Sequence, residues 1–366
     1  MKIGILTFHC AHNYGAVLQC YAMQELLRTE GYNVEIINYR PKSITKPYLL
    51  FDIQRFLDKR PIVMLKRIIN ELLILKNRYL RWRGFNNFIN DYLLLGDPVT
   101  RQSVPSKYDV YIVGSDQIWN SGILDGIDTT YFCDFSFDKG SRKYIAYAAS
   151  KGSASLNYEE GCFYSQNLSR FDYVSVREAD LQEVLQLYLE KPIKCVLDPT
   201  LIAPKQIWDK FISMKSKPNQ YVVVYQVRSC NKTIEIANHI AKQIGADVKV
   251  LVVWVQRNKA NMCQDASPAE FVDMIRNSAC VVTTSFHGTV FSLIFNKPFY
   301  TIKLGDGADA RSLSLLQEIG LEDRLINVDE MPTFTNIDYA RANEKLDILR
   351  QKSSEFLLNS LSSSKR

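Results

Sequence analysis

Four short stretches of this chain end an apolar run with side chains that can do chemistry. The richest is residues 279–299, ACVVTTSFHGTVFSLIFNKPF. Its Cys280-Val281-Val282 run is short and rich in β-branched residues, which predicts a buried strand. A polar turn through Ser285, Phe286, His287 and Gly288 follows, and residues 289–295 are apolar enough for a helix buried in a sheet layer. A strand running into a helix N-terminus leaves unpaired N–H groups at the carboxyl end of a parallel sheet, where anions bind. His287 is the candidate proton carrier of that turn, with Ser285 beside it and Gly288 opening the backbone to a ligand. The plainer reading of the same histidine is a cap or a packing residue.

The other three stretches follow the same logic. Residues 7–15, Thr-Phe-His-Cys-Ala-His-Asn-Tyr-Gly, lead from a strand into a helix. Asn13 can cap that helix, Gly15 permits close approach, and the helix end attracts anions or hydroxyls. A single glycine there is not a dinucleotide fingerprint. In residues 114–119 an Asp follows a strand directly, with an indole three residues on. Asp116 could then bind sugar hydroxyls and Trp119 the C–H face of a ring, or the pair is a helix cap and a core aromatic. In residues 175–178 Arg177 ends a buried strand, where a guanidinium is costly unless it is paired. It either bonds Glu178 or another carboxylate, or it grips a carboxylate or phosphate through its planar fork. Asp198-Pro199-Thr200 reads as a cap or turn without chemistry, and His239, mid-helix, as structural.

These stretches need a scaffold, and 366 residues with 46% hydrophobic and 23% charged content can supply two soluble domains. The chain begins strand–helix–strand, over residues 2–8, 15–28 and 33–39. Strands are predicted again at 108–113, 144–149, 173–176 and 195–197. Pro204 and Pro218 bracket a crossing into a second half, with strands at 221–227, 248–255, 280–282 and 299–302 and a short one within 321–328. Helices are expected at 233–244, from Ser267-Pro268 to 277, from Arg311 onward and at 339–361, with the SSSKR tail disordered. The fold class is therefore α/β: two Rossmann-like domains in a GT-B-like arrangement, with a C-terminal helix that can cross back. The domains are 1–203, carrying a basic helical insertion at about 42–95 and forming the acceptor side, and 204–337, forming the donor side. Residues 338–366 are the terminal helix and tail.

The net charge of +6 is local. Residues 54–83 hold nine Lys or Arg against Asp58 and Glu71, which leaves the rest of the chain near −1. With Ile62, Leu65, Ile68, Ile69, Leu72, Leu73 and Leu75 on a helical face, the segment is either a basic amphipathic helix on an anionic membrane or an insertion with a solvated face. One apolar-faced basic helix is not a nucleic-acid groove. No run is long enough to cross a bilayer. The eight cysteines are scattered without a C-x-x-C pair, which argues against zinc and for reduced thiols in the cytoplasm.

Taken in order, T-x-H-x-x-x-N-Y-G-A-x-L-Q, V-G-S-D-Q-I-W-N, S-V-R-E, L-D-P-T and S-F-H-G-T-x-F-S-x-x-x-x-K-P-F resemble the polysaccharide pyruvyl transferase family over nearly the whole chain. The resemblance implies a transferase that moves pyruvate from phosphoenolpyruvate onto two hydroxyls of a sugar, a hexose such as galactose. The product is a cyclic ketal in a capsular polysaccharide or exopolysaccharide. It implies no cofactor and no metal, with phosphoenolpyruvate as co-substrate. By the same resemblance His287 lies near the reacting enol and Arg177 grips the donor, and Asp116 matches an acidic residue of the acceptor site. The residues themselves add His287 as general acid and Asp116 as the other catalytic group, with Ser285, Gly288 and Lys151 on the donor. Asp116 then serves the acceptor side with His12, Asn13, Gly15 and Trp119. The acceptor could be a lipid-linked oligosaccharide if the basic helix touches membrane.

Two departures stand out. Well-studied relatives carry an Arg two residues before the His, where this chain has Ser285, and others have Asp where it has Ala16. Lys151, Lys303 or Arg311 could supply the missing cation. The alternatives are a GT-B glycosyltransferase using a sugar nucleotide and a non-enzymatic carbohydrate-binding scaffold.

Overall fold

In the computed structural model, which describes residues 1–52, 60–152, 155–212, 220–257, 261–305, 307 and 309–362, the short apolar runs pair into two wholly parallel sheets. The first holds β1 (Lys2–Leu6), β2 (Asn33–Tyr39), β3 (Leu95–Val99), β4 (Val110–Val113), β5 (Lys143–Ala149), β6 (Tyr173–Val176) and β7 (Ile193–Cys195), in the order β3-β2-β1-β4-β5-β6-β7. The second holds β8 (Tyr221–Gln226), β9 (Asp247–Val252), β10 (Met262–Cys263), β11 (Cys280–Thr283), β12 (Phe299–Lys303) and β13 (Leu325–Asn327), in the order β10-β9-β8-β11-β12-β13. Helices cover both, so central strands such as β4, β8 and β11 are apolar on both faces and read as continuous runs. These are two Rossmann-like domains in a GT-B-like fold.

Some boundaries differ from the sequence reading for local reasons. β3, which carries Gly96 and Pro98, follows the insertion where no strand was predicted; Pro98 is tolerated because β3 is an edge strand. The last strand of the first sheet ends at Cys195 rather than continuing to Leu197. The helix Phe286–Ile294 starts three residues before the expected Thr289, with Ser285 extended at its N-cap (φ −112°, ψ 133°), so His287 sits in its first turn.

The insertion helix, Pro61–Tyr92, has two different halves. Phe85, Phe88 and Ile89 are buried in the core beside the first helix, Tyr14–Thr29. Toward the start, Ile62 (71% exposed), Leu65 (57%), Leu72 (66%) and Leu73 (63%) form an uncovered apolar stripe. Its cations are not all on a wet face: Arg81 is buried and donates to Tyr14 Oη (2.8 Å) and the Val252 carbonyl (3.1 Å), and Arg78 pairs with Glu71. Arg55, Asp58 and Lys59 lie outside the described residues. No helix among the described residues is long and apolar enough to cross a membrane.

The terminal helix, Ala340–Ser362, returns to the first domain. Ser353 Oγ accepts from the Leu197 N–H (3.0 Å), Arg350 Nε donates to the Leu201 carbonyl (2.8 Å), and Lys143 Nζ donates to the Leu361 carbonyl (2.8 Å). A second tie is Tyr14, fully buried at the start of the first helix. It stacks on Phe271 of the second domain (4.5 Å between centroids, 14°), and its hydroxyl donates to the Ala266 carbonyl (2.8 Å).

Tyr14→Ala therefore removes a ring that belongs to both domains. We expect a loss of about 3–5 kcal/mol, the usual cost of deleting a buried aromatic. It is read as a lower urea midpoint, and an unchanged midpoint would show that the domains are joined elsewhere.

Candidate active site

The strand order reverses at β1, which lies between β2 and β4, and again at β8, which lies between β9 and β11. Ligands of open parallel sheets bind at the carboxyl side of such reversals. The two reversals face each other, and between them opens a cavity of about 440 Å³. The first domain lines it with Phe8, Asn13, Tyr48, Asp116 and Gln117, the second with Arg228, Trp254, Ser285, His287 and Arg311. The size suits a small substrate, since such sites run from roughly 300 to 1,000 Å³.

Behind the cavity is a buried ion cluster built on Asp198. Its Oδ1 accepts from the Thr200 N–H (3.0 Å) and Oγ1 (2.7 Å), which caps the turn Pro199–Ile202. Its Oδ2 accepts from Arg177 Nη1 (2.8 Å) and Ser115 Oγ (3.0 Å) and stands 3.7 Å from His287 Nε2. Burial alone would raise this carboxyl. The facing His287 and Arg177 and the Thr200 hydroxyl outweigh it and hold the group well below the usual carboxylate range. Asp198 is an anion at any ordinary pH.

Arg177 also approaches Glu178 Oε1 (3.8 Å) and Asp116 Oδ1 (3.9 Å), and its guanidinium lies 4.8 Å over the Phe286 ring. Burial raises the Glu178 carboxyl, against the pull of Arg177, Arg311 and the Ser150 hydroxyl that bonds it. Arg177 Nε and Nη2, Glu178 Oε2, Arg311 Nε and His287 Nε2 are all buried without a hydrogen-bond partner among the described residues. Folded proteins rarely leave such atoms unpaired; of these side chains, His287 and Arg311 line the cavity and Arg177 lies behind it.

The cavity wall is cationic on the second-domain side. Arg228 Nη2 donates to Asp309 Oδ1 (2.7 Å) and the Thr284 carbonyl (3.2 Å), which fixes its fork at the rim. With the Gln117 amide turned so that its oxygen faces Arg311, that oxygen accepts from Nη1 and Nη2 at 2.9 and 3.0 Å. Burial and then the charge of Arg177 pull Arg311 down to about 10, offset by Glu178 and Asp116, so it stays charged at neutral pH. Ser285 makes no side-chain capping bond, which leaves the first-turn N–H groups of the helix Phe286–Ile294 for an anion.

A model of the family described as polysaccharide pyruvyl transferase matches residues 13–306. The chain belongs to that family. Solved structures resemble it in fold alone. The UDP-GlcNAc 2-epimerase of Neisseria meningitidis bound to UDP-GlcNAc has 10% identity and a TM-score of 0.44, covering 100% of this chain and 95% of its own. The UDP-GlcNAc 2-epimerase of Methanocaldococcus jannaschii has 12% identity and a TM-score of 0.44, covering 99% of each chain. The E. coli heptosyltransferase WaaC with ADP has 10% identity and a TM-score of 0.40, covering 97% of this chain and all of its own. No curated protein matches in sequence.

Of the residues expected at the site, His287, Ser285, Asp116 and Asn13 line the one cavity, and Asn13 caps the first helix through the Ala16 N–H (3.3 Å). Gly15 packs against His287 instead of a ligand: a Cβ there would overlap the imidazole at Nδ1. Gly288 serves packing too, since a Cβ would run into Thr283 of β11. Arg177 lies behind Phe286, in a smaller space of about 60 Å³ that it shares with Asp198 and Arg311. His12 faces a neighbouring cavity, its ring stacked between Tyr48 and Phe85. Trp119 is core, 2% exposed, stacked on Phe132 with Nε1 donating to the Tyr131 carbonyl (3.2 Å), so it offers no face to a sugar. Lys151 is held outside the cavity by the Ser155 carbonyl (2.8 Å) and Glu160 (3.4 Å), and Lys303 is exposed at the end of β12. Of the three candidate cations only Arg311 lines the cavity among the described residues, where it stands with Arg228. Sequence reasoning passed over Asp198 and Arg228; an L-D-P-T run after a strand was the one available signal.

Gly15→Ala tests the seating of His287 across the cleft. We expect kcat to fall at least tenfold, because the displaced imidazole leaves its geometry, with a stability loss of about 1–3 kcal/mol from overpacking a buried contact. Full activity would show that the contact is incidental.

Proposed function

We propose that the cleft transfers pyruvate from phosphoenolpyruvate to two hydroxyls of a sugar, a hexose such as galactose, in the synthesis of a capsular polysaccharide or exopolysaccharide. The observation that carries this reading is His287, backed by the anionic Asp198, in the wall of a cavity that also holds Arg228, Arg311 and a helix N-terminus. A donor with one carboxylate and one phosphate needs such a set of cations and N–H groups. In this proposal His287 delivers a proton to the methylene carbon of the donor, and an acceptor hydroxyl bonds to C2 as its proton passes to Asp116. The C2–O bond to phosphate then breaks, with the electron pair leaving on inorganic phosphate. The second hydroxyl bonds to C2 and passes its proton to the now neutral His287, closing the ketal. Arg177 acts through Asp198 and Asp116 rather than on the donor directly.

Incubation with phosphoenolpyruvate and a panel of hexose glycosides should release phosphate and add a pyruvate-sized mass to one of them. His287→Gln should slow this roughly a hundred- to ten-thousand-fold, the usual worth of a general acid. Release of UDP from a UDP-sugar, with no phosphate from phosphoenolpyruvate, would overturn the proposal in favour of glycosyl transfer.

We also propose that the outer half of the insertion helix rests on an anionic membrane on the cytoplasmic side, so that a lipid-linked oligosaccharide is the acceptor. The exposed Ile62, Leu65, Leu72 and Leu73 lie beside the exposed Lys66, Arg67 and Lys76. A second copy would set these like charges against each other, whereas anionic lipid complements them. The protein should float with vesicles containing phosphatidylserine and not with neutral ones, and Leu65→Glu/Leu72→Glu should abolish it. Failure to float with either kind refutes the contact.

A further inference from the structure

Beside the reaction cavity lies a second one of about 370 Å³, lined by His12, Pro47, Tyr48, Leu49, Arg78, Arg81, Trp82, Val253, Trp254 and Val255. The two adjoin, because Pro47, Tyr48 and Trp254 line both. Their shared wall is the end of a stack of four rings. Phe85 lies on His12 (5.1 Å between centroids, 12°), His12 on Tyr48 (5.1 Å, 26°), and Tyr48 on Trp254 (5.6 Å, 11°). Phe85, His12 and Tyr48 belong to the first domain and Trp254 to the second, so the stack also spans the cleft. Its last ring stays 55% exposed.

The chemistry of this second cavity differs from that of the first. Arg78 is paired with Glu71, and Arg81 is committed to Tyr14, to Val252 and, at 3.4 Å, to the His12 carbonyl. Burial, then Arg81 and Arg40, lower the His12 imidazole to about 3, so it is neutral at physiological pH. Arg78 is neutralised by Glu71, and Arg81 keeps its charge but spends its fork on three neutral acceptors, so neither presents a bidentate contact to a phosphate. The cavity offers the indoles of Trp82 and Trp254 and a neutral imidazole, a set that matches the C–H faces and hydroxyls of an uncharged pyranose.

We propose that the second cavity holds the sugar residue next to the one that reacts, so that the protein acts on an oligosaccharide chain rather than on a free monosaccharide. This rests on the pyruvyl-transfer reading. The Tyr48–Trp254 pair then marks the glycosidic linkage passing from one cavity to the other.

The test compares a set of monosaccharide methyl glycosides with di- and trisaccharides ending in the same sugars, measuring phosphate release from phosphoenolpyruvate as kcat/KM. For the accepted sugar, the disaccharide should exceed the monosaccharide by about tenfold, the size of one good ring-stacking contact. Trp82→Ala removes one wall of the second cavity only, and Val255→Trp fills it from the opposite domain. Both should abolish the advantage of the disaccharide through KM while leaving monosaccharide turnover unchanged. Equal turnover of mono- and disaccharide, or an advantage that survives both variants, overturns the subsite while leaving the reaction intact. Absence of phosphate release with every acceptor overturns the reaction itself, and the subsite with it.

Discussion

A single buried carboxylate, Asp198, holds the active centre together. An ion taken out of water is tolerable only when its partners are in place, and losing one of them leaves an uncompensated charge. Here the partners come from separate parts of the chain. Ser115 follows β4, Arg177 follows β6, Thr200 belongs to the turn after β7, and His287 comes from the second domain. Electrostatics and domain closure are therefore the same event: the histidine meets its anion only when the two sheets face each other. Gly15 completes that meeting from the other side by omitting a side chain where the imidazole sits.

The division between the two groups of arginines follows from Phe286. Its ring separates Arg177, which neutralises carboxylates, from the cavity where Arg228 stands, while Arg311 reaches both spaces. Arg311 sits within 5.8 Å of the same ring from a helix, Asp309–Ile319, well beyond the histidine motif. Position 285 brings no charge, yet the cavity has two guanidinium groups that the local pattern around His287 does not announce. Electrostatic function constrains where a guanidinium arrives, not which element delivers it.

Much of the fold was legible because a strand buried on both faces must be apolar throughout, and such runs recur between amphipathic helices. Their ends were less legible, since nothing in a run such as Cys195-Val196-Leu197 says where pairing stops. The edge strand β3 has glycine and proline that argue against a strand, and only its position excuses them. At the site, His287, Asp116 and Asn13 could be found because each ends a strand or caps a helix, which is local information. Asp198 escaped notice because one of its oxygens does make the ordinary cap that the Asp-Pro-Thr pattern announces. The other oxygen does the rest through tertiary contacts. Trp119 misled for the converse reason: an aromatic near a strand end is compatible with a sugar platform and with a core, and packing on Phe132 decides it.

The return of the helix Ala340–Ser362 to the first domain has a bearing on how the chain is made. The first sheet leaves the ribosome well before the segment that covers it beside β5 and β7, and the whole second domain is synthesised in between. Until that helix arrives, the strip of the nascent domain around Tyr147, Tyr173 and Leu197 stays uncovered. The early domain thus depends on a later-made segment to hide its adhesive flank from other chains.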